Sequence, residues 1–146
     1  MKISMGCDHG AYALKEHLKD WLTKQGHEVI DCGTYSTESC DYPGFGKAAA
    51  EKVASGQCER GIVLCTTGIG IAISANKVRG IRCALCRDLL SAQLTRLHNN
   101  ANMLALAGGF TGNLEAEKIV EAFLTTEFEG GRHQRRVDAM MDIENS

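Results

Sequence analysis

No apolar run in the 146-residue sequence approaches the roughly 18 residues that a membrane span needs, and the start, Met1-Lys2-Ile3-Ser4-Met5, lacks the apolar core of a signal peptide. Both absences point to the cytoplasm. There is no excess of positive charge: 16 Lys and Arg against 18 Asp and Glu leave a net charge of −2, so nothing draws the whole chain to nucleic acid or to an acidic membrane. Any cationic site must be local. Proline is almost missing, and the single one, Pro43, lies in Tyr42-Pro43-Gly44-Phe45 after a polar stretch over residues 33–41, which predicts a loop of defined shape. A disulfide framework is absent too, since seven cysteines at irregular spacing leave one unpaired and fit a reducing compartment. Cys83-Ala-Leu-Cys86 has neither a second C-x-x-C nor an H-x-x-x-H near it, and on a strand residues three apart face opposite ways. A structural role is indicated, with no metal and no cofactor expected.

What the sequence does have is the balance of a globular protein, 44% hydrophobic and 23% charged, at a length that argues for one domain over residues 1–146. Apolar stretches read as strands over residues 2–7, 27–32, 61–64, 81–85 and 103–106. Helices are predicted between them over residues 11–25, 46–54, 69–77, 87–97 and 114–125, and a basic segment from Gly130 leads into a last helix carrying Val137, Met140, Met141 and Ile143. Such alternation predicts a doubly wound, Rossmann-like α/β fold, a five-stranded parallel sheet in three α/β/α layers with a C-terminal helix.

The most informative stretch is Gly61-Ile-Val-Leu-Cys65-Thr-Thr67-Gly68-Ile-Gly70. Ile62-Val63-Leu64 reads as a strand buried on both faces. It runs into a turn with two hydroxyls and two glycines, after which an apolar helical pattern resumes. Free amides and the positive end of a helix dipole then face whatever lies above the strand tip, which suits an anion. They also favour the thiolate of Cys65 at the lip. Gly-x-Gly turns occur as well in α/β domains that bind nothing there, and most cysteines in such a chain are small buried hydrophobes, so the turn alone leaves both readings open.

Ligands of doubly wound sheets sit over the carboxyl ends of the strands. That rule gathers Asp8 and His9 after the first strand, Cys65 to Gly70 after the third, and Arg87 and Asp88 after the fourth. His98-Asn99-Asn100 precedes the fifth strand and belongs to the other end of its own sheet, so it reaches such a site only through a second subunit or a long excursion. Each residue also has a plain structural role open to it: Asp8 as a helix cap, His98 as a helix C-terminal residue, Arg132, Arg135 and Arg136 as an exposed basic turn.

Taken together, Gly6-Cys7-Asp8-His9, Asp41-Tyr42-Pro43, Cys65-Thr66-Thr67-Gly68-Ile69-Gly70 with Ser74-Ala75-Asn76-Lys77, His98-Asn99-Asn100-Ala101-Asn102 and Gly130-Gly131-Arg132-His133-Gln134 resemble the ribose-5-phosphate isomerase B family, which includes the galactose-6-phosphate isomerase subunits. The resemblance spans nearly the whole chain in order. It implies an aldose–ketose isomerase of sugar phosphates working through a cis-enediolate, built as a homodimer, or a tetramer of such dimers, with sites shared between subunits. By match to the family motifs, Cys65 is the base, Thr67 its assisting hydroxyl, and His98 with Asp8 the pair that opens the sugar ring. Asn99 holds a substrate hydroxyl, the amides of Thr66, Thr67, Gly68, Ile69 and Gly70 cradle the enediolate, Tyr42 lines the substrate site, and His9, Arg132 and Arg136 are phosphate ligands.

Two departures stand out. The family usually has glycine where Thr66 stands, so either that backbone is not left-handed or the cradle is altered. It usually has a basic phosphate ligand where Gly109 stands, which leaves open ribose 5-phosphate, a six-carbon sugar phosphate such as allose or galactose 6-phosphate, or an unphosphorylated sugar. A non-catalytic binding subunit is the competing class, against which Cys65, Thr67, Asp8 and His98 are all retained. A dinucleotide site is disfavoured, because Gly-x-Gly-x-x-Gly with a following acidic residue is missing.

Overall fold

A computed structural model describes residues 1–146. The chain alternates as β1 (Lys2–Cys7), α1 (Tyr12–Lys24), β2 (Glu28–Asp31), α2 (Tyr42–Ala54), β3 (Arg60–Cys65), α3 (Ile69–Asn76), β4 (Cys83–Leu85), α4 (Leu89–Asn99), β5 (Met103–Ala107), α5 (Asn113–Thr125) and α6 (Arg132–Asp142). Single 3-10 turns occupy His9–Ala11 and Ile143–Asn145. All strand pairs are parallel, in the order β2-β1-β3-β5-β4, as the alternating pattern predicts.

Period-two alternation within each strand feeds two cores. Ile3, Met5, Ile62, Leu64, Leu104 and Leu106 meet Leu14, Leu18 and Leu22 of α1 and Ile119, Val120 and Phe123 of α5. On the opposite face Val63, Cys65, Met103 and Ala105 meet Ala49, Ala50 and Val53 of α2 and Ile71, Ala72 and Ala75 of α3. Burial of each large aliphatic side chain contributes about 1.5–3 kcal/mol. Small residues let α2 and α3 come close, and a side chain at Gly46 would meet Ile71 Cγ1 at 2.9 Å. The C-x-x-C pair divides between these faces, Cys86 in the first core and Cys83 against the second. Burial pushes the Cys83 thiol up to about 12 and that of Cys7 up to about 11, and raises those of Cys32, Cys58 and Cys86 as well, which removes all five from proton transfer near neutral pH.

Two expected boundaries move. α2 begins at Tyr42, inside the segment read as a loop, because Pro43 is compatible with a first helical turn that needs no amide. α4 begins at Leu89, where Asp88 caps it by accepting from the Ser91 amide at 2.6 Å, and Arg87 lies over the Phe110 ring at 5.3 Å. Both strand-four residues gathered at the ligand edge therefore have structural partners.

Lys15 is completely buried, donating to Asp31 Oδ1 at 2.6 Å and to the Thr34 carbonyl at 2.7 Å. Burial works to raise the Asp31 pKa, but hydrogen bonds from Lys15, Lys19 and the Gly33 amide hold it below its ordinary value. This pair ties α1 to the loop after β2. Removing one partner leaves the other charge buried, so Asp31→Ala should lower the unfolding free energy by about 3–5 kcal/mol in denaturant titrations. Breaking the exposed Lys47–Glu51 pair of α2 by Lys47→Ala should change it by only about 0.3–0.5 kcal/mol.

Candidate active site

β3 ends in the core at Cys65, 4% exposed, and the chain leaves it through the exposed Thr66 and Thr67. Gly68 then takes the left-handed conformation (φ 75°) that reverses the chain into α3, where a side chain would strike Leu85 and the Leu106 backbone. The Ile69 amide bonds to Thr67 Oγ1 at 3.2 Å and the Ala72 amide to the Gly68 carbonyl at 3.2 Å. The amides of Thr66, Thr67, Gly68 and Gly70 have no acceptor within the chain. These four donors follow Cys65 directly and lead into the N-terminus of α3, an arrangement that suits an anion cradle. Two bonds hold the turn in place, from the Gly108 amide to the Cys65 carbonyl (2.8 Å) and from the Gly109 amide to the Thr66 carbonyl (2.9 Å). Thr66 does not have a positive φ, so its β-branched side chain is compatible with the cradle.

Asp8 enters from the neighbouring strand, its amide on the Leu64 carbonyl at 3.2 Å and its buried carboxylate accepting from the Gly10 amide at 3.0 Å. It does serve as a cap, next to the cradle. His9 is exposed, and its Nδ1 accepts from the Cys40 amide at 3.2 Å, which leaves Nε2 to carry the proton of the neutral ring and to donate outward. Tyr42 lies over the start of α3, with Cε1 2.6 Å from where a Gly70 side chain would begin. Asp8, His9, Tyr42 and the stretch from Cys65 to Gly70 thus gather at one end of the sheet.

The other expected residues do not join them within one chain. Gly61 pairs with Met103 and Cys65 with Ala107, so the start of β5 lies four residues (61 to 65) from the Cys65 end. That separation is about 13 Å, and His98 and Asn99 lie before it. His98 stacks on His133 with centroids 4.3 Å apart and planes 15° from parallel. Arg132 and Arg136, on the exposed side of α6, sit near enough for their charges to act on His133. Asn99, next to His98 in the chain, lines a cavity with Met140 and Met141 of α6, and His98, Arg132 and Arg136 gather around His133 in a second cluster. Its frame is the turn after α4: Asn100 is left-handed (φ 46°), its carbonyl accepts from Arg82 Nε (3.0 Å) and Nη2 (2.8 Å), and its side-chain oxygen accepts from Arg96 Nη1 at 2.9 Å. Arg96, 3% exposed, also donates to the Ala101 and Thr126 carbonyls, and burial beside Arg60 and Arg82 pushes its guanidinium down to about 10.

His133 had no role in the sequence reading, because no spacing links it to His98. Its Nε2 is buried without a hydrogen-bond partner, 3.8 Å from Glu129 Oε2. His98, Glu129 and His133 bring three ligand atoms within 4.8 Å of one another. The near-parallel rings direct their in-plane lone pairs side by side, so a common ion would require one ring to turn.

The fold and the turn after β3 define a doubly wound α/β protein with a row of free amides at the carboxyl edge of its parallel sheet. The particular family follows from comparison: a model described as Ribose/Galactose Isomerase matches residues 3–140, and the chain belongs to that family. It is 47% identical to ribose-5-phosphate isomerase B of Escherichia coli K12, covering 98% of this chain and 96% of that one. The structure of Clostridium thermocellum ribose-5-phosphate isomerase B superposes with a TM-score of 0.98 at 52% identity, covering 99% of this chain and 98% of that chain. The structure of the Mycoplasma genitalium ribose-5-phosphate isomerase B with bound ribulose-5-phosphate superposes with a TM-score of 0.94 at 39% identity, covering 99% of this chain and 97% of that chain.

Burial, then the facing His98 and the flanking arginines, depress the His133 pKa. An imidazole depressed in the fold is protonated more readily when unfolded, so stability is full above its unfolded pKa of about 6.5 and declines as pH falls below it. Denaturant midpoints at about pH 7.5 and about pH 5.5 should show this loss, with a shallower decline in His133→Gln.

Proposed function

We propose that this protein is an aldose–ketose isomerase interconverting ribose 5-phosphate and ribulose 5-phosphate through a cis-enediolate, with Cys65 as the base. The observation that carries the reading is the run of four unbonded amides directly after Cys65, on a turn fixed by two backbone hydrogen bonds. Moving a proton next to a carbonyl needs a base in contact with carbon and donors where oxygen becomes negative, and this turn has both. The Cys65 thiolate takes the proton from C2 of the open aldose as the C1 oxygen gains negative charge, the C2 hydroxyl proton passes to the C1 oxygen, and return of the thiol proton to C1 as the C2 carbonyl forms completes the ketose. Thr67 accepts from the Ile69 amide and keeps its own proton to donate to an enediolate oxygen. The amides of Thr66, Thr67, Gly68 and Gly70 hold the charge, and Ile69, whose amide is taken by Thr67 Oγ1, shapes the turn.

On this reading the working unit is a homodimer. Asp8 and the partner's His98 open the ring, Asn99 of the partner subunit holds a substrate hydroxyl, and His9 with Arg132 and Arg136 of the partner subunit holds the phosphate, with Tyr42 as a wall. The separation of the two clusters within one chain supports this arrangement. So do the exposed apolar side chains of Ile69, Ile73, Met140 and Ile143. A six-carbon sugar phosphate is the second reading, favoured by the family's galactose branch. Seven free cysteines fit a cytoplasmic protein, and no helix is long and apolar enough to cross a membrane.

A coupled assay of ketose formation tests the activity directly. Cys65→Ala should still fold and bind substrate but lose about 10²–10⁴-fold in turnover, and retention of more than about a tenth would exclude it as the base. Mixing Cys65→Ala with His98→Ala should restore part of the activity through hybrid dimers holding one intact site, measured after subunit exchange has been verified. Absence of recovery would mean that each site is built within one chain.

A further inference from the structure

Thr66 is wedged between two glycines that come from different ends of the chain. A side chain built on Gly10 would run into its hydroxyl, and one built on Gly109 would begin 2.8 Å from its methyl Cγ2 and 3.1 Å from its carbonyl oxygen. Neither glycine has a positive φ, so the Thr66 side chain, not backbone conformation, is the main obstacle to a larger residue at either position. The Thr66 hydroxyl makes no hydrogen bond within the chain, although the residue is exposed and the hydroxyl stands on the side of Asp8 Oδ1, which lies 3.4 Å from the same point above Gly10. Its nearest functional neighbours are the His9 segment on one side and the amide cradle on the other.

We propose that the Thr66 side chain determines substrate specificity. Its hydroxyl donates to the anionic group of the substrate held by His9, and its methyl fills the space that a side chain at residue 109 would need. This deepens the isomerase reading and rests on its placement of the phosphate near His9. The ligand class is a sugar phosphate whose phosphate receives a neutral donor at this edge of the site. The methyl and the hydroxyl act separately, which makes the inference testable by variants that remove one and keep the other.

Thr66→Val keeps the shape and removes the hydroxyl. A hydrogen bond to a charged group corresponds to about a 10–150-fold change in binding, so this variant should raise KM for ribose 5-phosphate, and Kd for inorganic phosphate by calorimetry, by about tenfold or more, with the effect on kcat the smaller one. Thr66→Ser should keep the affinity. Gly109→Ala should lower Tm by several degrees when Thr66 is present and by much less in the Thr66→Ser background, a non-additive cycle. Unchanged KM and phosphate affinity in Thr66→Val would overturn the hydroxyl's role, and strictly additive Tm shifts would overturn the methyl's. Phosphate binding and Tm are read without turnover. A parent protein that converts no sugar phosphate, yet loses phosphate affinity in Thr66→Val, would therefore support the Thr66 assignment while overturning the isomerase reading.

Discussion

The structure depends on two hydrogen bonds that extend the sheet one step beyond its strands. The Gly108 amide on the Cys65 carbonyl and the Gly109 amide on the Thr66 carbonyl continue the β3–β5 pairing into the turns that follow both strands. Without them the chain after Cys65 would be a flexible glycine-rich loop, and the entropy of ordering it would fall on the ligand. With them the carbonyls are engaged in the sheet and the amides of Thr66, Thr67, Gly68 and Gly70 are left to point away from it. Donors held in place before a ligand arrives bind charge at less entropic cost than mobile ones, and here the sheet supplies that order.

The same pairing accounts for the division of the candidate residues. In a parallel sheet every strand tip lies at one edge and every strand start at the other, so residues preceding β5 are held away from residues following β3. The frame at the far edge is as firm as the one around the cradle. Asn100 is fixed by two arginines, and the buried one, Arg96, donates from Nε and Nη1 to three oxygen acceptors of the surrounding chain. A buried guanidinium with no carboxylate partner is tolerable when carbonyl dipoles meet its donors, and its rigid fork then sets the direction in which α4 ends. His98 and Asn99 are thereby held in a fixed direction at that end.

Much of this was legible in the sequence because it rests on local chemistry. Strand and helix periodicity predicts the sheet and the order of its elements, the apolar run with its glycine turn marks the cradle, and the C-x-x-C divides between two faces because strands alternate. The start of α2 was misplaced because three glycines among residues 33–46 resemble loop punctuation, whereas Gly46 is small to admit Ile71. Residues whose function arises from contact across the fold carried no signal. Nothing in the spacing announces that His133 will stack on His98, that Cys40 will orient His9, or that Lys15 will lie buried against Asp31.

The departures from the family pattern at residues 66 and 109 belong to this last kind, because each looks independent along the chain. In space they share one volume: the methyl of Thr66 lies over Gly109, so a threonine at the first position and a side chain at the second exclude each other. Either residue alone would suggest a weakened site, a cradle disturbed by a β-branched residue or a subsite lacking its cation. Together they describe a site rebuilt at constant volume. Thr66 keeps an ordinary backbone conformation, and its hydroxyl stands over Gly10 on the side of Asp8, without a hydrogen-bond partner in the chain. Close packing makes such pairs move as units, since a methyl group over a glycine leaves no room for partial change.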